Sequence, residues 1–158
     1  MTLAAPIAEG RLIDWDRMIA TNLNGTLHTV HSFTASLLAA ANERGGADVV
    51  NISSMGAHLT FPNYAVYGAT KAAVTHLSNS LRSEFGPRDV RITNVEPGLT
   101  DTELGSHLAP ERQVELGFMF DAIPALSAGD IADLVDYAVS RPRHVNLRQL
   151  IVLPTRQA

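Results

Sequence analysis

Three residues of this chain have the types and the spacing for proton transfer on an oxygen atom. Ser54 stands in the run NISS, Tyr67 follows thirteen residues later, and Lys71 comes four residues after that. Residues four apart on a helix share one face, so a helix through this stretch sets the Lys71 ammonium beside the Tyr67 phenol. A neighbouring cation stabilises phenolate and draws a tyrosine from about 10 toward working pH, as a general acid and base requires. Ser54, in the loop at a strand's end, can hydrogen-bond the same substrate oxygen. A tyrosine and a lysine four apart also occur on many helices as a half-buried aromatic beside a solvated charge. Composition sets this pair apart, because eleven of the twelve basic residues are arginine and Lys71 is the one lysine. Lysine is a compact charge whose pKa can be shifted; arginine stays protonated.

The elements that must position these residues alternate in type. Residues 11–42 read as one long helix, with Leu12, Trp15, Ile19, Leu23, Leu27, Val30 and Phe33 recurring three or four apart and Gly45-Gly46 ending it. Residues 48–53 (DVVNIS) form a short β-rich run of the kind buried on both faces of a parallel sheet. Residues 64–85 return to helical spacing, and Gly86-Pro87 closes that helix. The next strand, 90–95, runs into Glu96-Pro97-Gly98, a breaker that opens a loop. Residues 99–120 read as a loop with a short helix at 111–117. A third clear helix covers 128–140, capped by Ser127 or Asp130, and a last strand covers 147–153. The order α-β-α-β-α-β predicts an α/β fold with a doubly wound parallel sheet. Function in such sheets collects at the carboxyl ends of the strands, where Ser54 and the 96–98 turn fall.

Composition excludes several classes. The 158 residues are 46% hydrophobic and 18% charged, an ordinary globular balance that speaks against disordered and collagen-like chains. No apolar run approaches the ~20 residues of a membrane span, and residues 1–10 lack a secretory signal, so the expected location is cytoplasmic. With no cysteine there is no disulfide, thiolate metal site or cysteine nucleophile, and a net charge of −4 argues against nucleic-acid or anionic-membrane partners. His28 and His31 sit three apart without a third ligand, so no metal is expected. Ser54 lacks the Gly-x-Ser-x-Gly elbow of a serine hydrolase. The acidic residues 130, 133 and 136 read as a solvated helix face.

Asn22 in TNLNG, Ser54 in NISS, Tyr67 and Lys71 in YGATK, and Pro97-Gly98 in EPGLTDTEL stand in an order and spacing that resembles the short-chain dehydrogenase/reductase family over essentially the whole chain. The resemblance implies a nicotinamide-dependent oxidoreductase of Rossmann-type fold acting on a small alcohol or carbonyl substrate, with a catalytic tetrad of Asn22, Ser54, Tyr67 and Lys71. It implies that Tyr67 exchanges the proton and Ser54 holds the substrate oxygen. Lys71 lowers the Tyr67 pKa and binds the nicotinamide ribose, and the Asn22 backbone holds a relay water. Pro97, Gly98, Thr100 and Thr102 join Tyr67 and Lys71 around the cofactor. The closing stretch RPRHVNLRQLIVLPTRQ is similar to the NADP-dependent 3-hydroxy acid (serine) dehydrogenase branch, which implies NADP, with NAD as the alternative, and a homo-oligomer, dimer or tetramer. The substrate side would comprise Ser54, Met55, Gly56, His58, Asn63, Tyr64, Tyr67 and the 104–120 loop. Leu59, Phe61, Leu104, Leu108, Phe118, Met119 and Phe120 would line it, and His58, His107 and Arg112 are candidates to receive a carboxylate.

No Gly-x-Gly-x-x-Gly turn for a pyrophosphate occurs in the sequence. By the resemblance that turn belongs to about the first 90 residues of a family member, and Met1–Ile7 is similar to the sequence that follows the NNAG motif. The expectation is therefore that residues 1–158 are the C-terminal part of a single Rossmann-type domain, with about three strands and three main helices. The dinucleotide-binding segment is absent, and the 48–53 strand is left with one open edge. The other function left open is an inactive truncated remnant that serves only as an oligomerisation or interaction fragment.

Overall fold

A computed structural model describes residues 1–108 and 110–157, the side chains of His107, Glu111, Arg112, Glu115, Leu116 and Met119 lying outside the description. In chain order the elements are α1 (Leu12–Ile19), a π-helical turn (Ala20–Asn24), α2 (Gly25–Arg44) and β1 (Ala47–Ile52), then α3 (Ala65–Phe85) and β2 (Val90–Pro97), and finally α4 (Pro110–Ala122), α5 (Ala128–Val139) and β3 (Gln149–Val152). The three strands form one parallel sheet in the order β1-β2-β3, with Val49 opposite Ile92 and Val95 opposite Leu150. The fold is the expected α/β class with right-handed crossovers the default for such connections.

Strand pleating decides which helix each residue meets. Val90 and Ile92 on one face of β2 pack with Val49, with Ala41, Val30 and Leu38 of α2, and with Leu77, Leu81 and Phe85 of α3. Val90, Ile92 and Val95 are at most 1% exposed, and each such buried aliphatic side chain contributes about 1.5–3 kcal/mol. Arg91 points the other way and reaches the C-terminal end of α5, donating to the carbonyls of Val139, Arg141 and Val145. Helices therefore cover both faces of the sheet.

Four expectations are corrected. The long first helix is split, because the Gly25 amide bonds the Ala20 carbonyl five residues back and inserts a π-turn around Asn22. The strand expected to be buried on both faces is mostly half-buried, with Ile52 45% exposed. β2 borders its one side, and no strand borders the other among the described residues. The strand expected to stop at Val95 continues through Pro97, paired to Val152 of β3, so the break falls at Gly98. The short helix expected at 111–117 is the longer α4. Ser127 and Asp130 together form the capping box of α5, each side chain bonding the other residue's backbone amide.

Candidate active site

The residues singled out for proton transfer converge at the carboxyl end of β1 and β2. The chain leaves β1 at Ile52, and Ser53 is still held to the sheet by its amide bond to the Val95 carbonyl. Ser54 then sits in extended backbone and caps a short 3₁₀ turn over Met55–Ala57, its oxygen accepting the Gly56 amide at 3.1 Å. Tyr67 stands in the first turn of α3 and Lys71 one turn on. Ser54 and Tyr67 face the same cavity. The Lys71 ammonium lies 5.8 Å from the centre of the Tyr67 ring and donates to the Ile52 carbonyl at 3.1 Å. Tyr64 packs edge-on against Tyr67, ring centres 6.1 Å apart.

The electrostatics run against the simplest expectation from spacing. Burial pushes the Tyr67 phenol above its ordinary value, with the nearby Ser54 hydroxyl pulling it back and Tyr64 adding to the rise. Burial likewise pushes the Lys71 ammonium below its ordinary value. Desolvation disfavours the charged form of both, so the resting pair is drawn toward neutral phenol and neutral amine. The arrangement suits a buried proton shuttle in which phenolate forms only as its charge is met.

Asn22, placed by the π-turn, is buried and joins this group through its side chain. Its amide donates to the Met1 carbonyl at 2.9 Å and to the Thr70 hydroxyl at 3.1 Å, and Thr70 is the residue before Lys71. The Asn22 carbonyl accepts the Thr26 hydroxyl at 2.9 Å. Inserted π-turns recur at functional sites because they re-aim one residue out of an otherwise regular helix.

At the end of β2, the Gly98 amide bonds the Val152 carbonyl at 2.8 Å. A side chain at Gly98 would meet the ends of the Gln157 and Leu153 side chains, so the C-terminal tail packs close against the backbone there. Thr100 turns its hydroxyl back onto the Gly98 carbonyl at 3.0 Å, and Thr102 caps the short turn at Glu103–His107. Beside these groups lies a cavity of about 610 Å³ lined by Ser54, Met55, His58, Tyr64, Tyr67 and Leu99 among others. Gly56, Leu59, Phe61 and Asn63 also line it. None of the described residues of 104–120 is among its walls, and His107, Arg112 and Met119 lie outside the described side chains. Among the described residues no cluster of His, Asp and Glu could hold a metal ion, and no helix is long and apolar enough to cross a membrane.

Two residues escaped the sequence reading. Gln157 accepts the Leu99 amide at 2.7 Å and donates to the Met55 sulfur at 2.9 Å, which draws the tail into the cavity wall. Glu96, read from sequence as part of a breaker, is fully buried in β2. Its signal was a carboxylate inside a strand, masked by the Pro-Gly that follows.

Comparison with known proteins follows the same residues. The profile of the short chain dehydrogenase family matches residues 1–113. A serine 3-dehydrogenase of Rhizobium radiobacter is 33% identical over 154 residues, covering 98% of this chain and 60% of that protein. Sulfoacetaldehyde reductase 2 of Chromohalobacter salexigens is 35% identical over 154 residues, with 97% and 60% covered. Among solved structures, the closed form of a serine dehydrogenase complexed with NADP+ superposes with a TM-score of 0.87 at 29% identity, covering 100% of this chain and 63% of that one. The serine dehydrogenase of Escherichia coli superposes with a TM-score of 0.78 at 27% identity, with 100% and 62% covered. The chain thus spans about 60% of the length of the curated relatives it matches.

Proposed function

The chain belongs to the short chain dehydrogenase family, and on that premise we propose that it carries the proton-transfer part of a nicotinamide-dependent oxidoreductase interconverting a small alcohol and its carbonyl compound. The observation that carries this reading is that Ser54 and Tyr67 face one cavity with the Lys71 ammonium over the Tyr67 ring, all three at the carboxyl end of a parallel sheet. Similarity to a serine dehydrogenase complexed with NADP+ supports NADP as the cofactor, with NAD as the alternative.

The residues present fit the nicotinamide end of that cofactor. A half-buried ammonium whose acceptor is the Ile52 carbonyl can exchange that partner for a ribose hydroxyl. Gly98, packed against the tail, lets backbone come close. Tyr67, Lys71, Pro97, Gly98, Thr100 and Thr102 would hold this end. We take residues 1–158 as the C-terminal part of one Rossmann-type domain, with the pyrophosphate turn supplied by residues outside this sequence. The bound nicotinamide supplies or accepts the hydride.

The rest of the work falls to this chain. Ser54 holds and polarises the substrate oxygen within reach of Tyr67. Tyr67 enters as the neutral phenol that burial favours and gives its proton to that oxygen as negative charge develops there. Lys71 meets the phenolate as it forms, and its depressed pKa readies it to pass a proton on. The Asn22 backbone holds the water that refills the relay. Met55, Tyr64 and the cavity they share with Tyr67 receive the substrate's carbon skeleton. The assembled enzyme is a homo-oligomer, dimer or tetramer, of the cytoplasm. Phe33 of α2, 59% exposed, provides apolar surface for association.

The test is reduction of a panel of short carbonyl compounds by NADPH, with this chain joined to a segment bearing the pyrophosphate turn. Turnover is expected with the native residues and not with Tyr67→Phe, while NADP still binds the variant. The 158 residues alone are expected to bind NADP weakly or not at all. Undiminished turnover in the variant, or no reduction of any compound, would overturn the reading.

A further inference from the structure

Glu96 is fully buried and no step above uses it. One carboxylate oxygen accepts the Thr75 hydroxyl and the Asn94 amide, each at 2.7 Å. The other is 2.7 Å from the Gln149 amide nitrogen and 2.7 Å from His58 Nε2. These partners come from α3, β2, β3 and the loop between Ser54 and Tyr67. An ionised carboxylate is acceptor-only and has room for four donors. The Gln149 and His58 nitrogens are 3.2 Å apart and both lie within reach of one oxygen, the arrangement of two donors sharing an acceptor. Burying a carboxylate is costly unless every lone pair is met, and here four groups meet them.

We propose that Glu96 is a positioning residue of the site: as an anion it fixes His58 as an Nε2–H donor and thereby seats the loop bearing Ser54 against β2, β3 and α3. His58 lines the cavity and lies four residues beyond Ser54. Thr75, which donates to Glu96, stands one turn beyond Lys71 on α3, and the Ser53 hydroxyl donates to the Lys71 carbonyl at 2.8 Å. Glu96 thus joins the loop that carries Ser54 and the helix that carries Tyr67 and Lys71 without touching the reacting atoms. That this loop faces substrate rests on the function proposed above; the proton on His58 does not.

The experiment reads that proton directly, from the imidazole nitrogen resonances of the 158-residue chain at neutral pH. In the native protein His58 is expected as the Nε2–H form. Glu96→Gln presents an NH₂ group in place of an acceptor, and His58 is expected to switch to the Nδ1–H form so that Nε2 can accept. An Nδ1–H form in the native protein, or no change in E96Q, overturns the proposal whether or not the chain reduces any substrate. Because E96Q can fail to fold, His58→Gln and His58→Leu supply a second measurement. The amides of His58 and Leu59, which bond the Met55 carbonyl, are expected to exchange about tenfold faster in H58L, since a hydrogen bond to a charged group is lost. In H58Q, which keeps a donor, they should stay near the native rate. Equal rates in the two variants would also overturn the proposal.

Discussion

The two ends of β2 bury opposite charges for opposite purposes. At its start Arg91, 6% exposed, pairs with Asp48 of β1 at 2.6 Å and fills the carbonyl ends of α5 and the turn beyond it. Arg143 closes the cluster from outside on the same Asp48 at 2.7 Å. Every member there is matched by a charge or a carbonyl. At the strand's other end Glu96 is met by neutral hydroxyl and amide donors and one imidazole, His58, which lines an open cavity. The first end is organised to hold the sheet together. Near the second end the desolvated Tyr67 and Lys71 are tolerated, as at sites of chemistry, and they draw on the stability of the first.

Substitutions at the two ends should separate cleanly. The largest effect is on turnover: Tyr67→Phe in the joined enzyme is expected to lose about 10²–10⁴-fold in kcat, the worth of a positioned general acid, with the melting temperature changed little. Arg91→Met is expected to destabilise by about 3–5 kcal/mol, as when one partner of a buried ion pair is removed. Denaturant unfolding would read it, and equal stability of R91M and the native protein would break the comparison. Ser127→Ala, on the capping box of α5, should cost about 1 kcal/mol and touch neither end's chemistry. The smallest effect has the opposite sign. Lys71→Met replaces a desolvated ammonium, so it should leave stability unchanged or slightly raised at neutral pH where R91M lowers it.

The pH dependence of that last variant follows from the direction of the shift. The folded state lowers the Lys71 pKa below its ordinary 10.5, so it favours the neutral amine, and stability falls as pH drops through the lowered value. The advantage of K71M should therefore be present at neutral pH and vanish above about 10.5. Tyr67 runs the other way. Its pKa is raised above the ordinary 10.0, so its contribution holds below that pH and is lost above it. Tyr67→Phe should soften the alkaline decline in an unfolding series.

Much of this was legible in the residues. The alternation of apolar runs gave the three parallel strands, and the spacing from Ser54 to Tyr67 to Lys71 identified three groups that the fold brings together. What escaped depended on tertiary surroundings. The hydrophobic period from Leu12 to Phe33 passes smoothly through the π-turn, since one added residue barely disturbs a three-or-four spacing. The Tyr67 shift depends on how deeply the phenol is buried, which no local pattern records. Glu96 was hidden by Pro97-Gly98, because a breaker motif draws the boundary too early when a neighbouring strand, here β3, still offers partners.

The π-turn at Ala20–Asn24 takes up an extra residue without shifting the helical frame on either side. Taking one residue out of it would restore an unbroken α-helix with Leu27 and Val30 on nearly their present bearing. A single deletion there would therefore be a local lesion, its cost confined to the pocket that holds the Asn22 amide. A one-residue deletion in the regular turns of α2 has no such slack and would rotate all that follows by about 100°, the turn angle of a residue at 3.6 per turn.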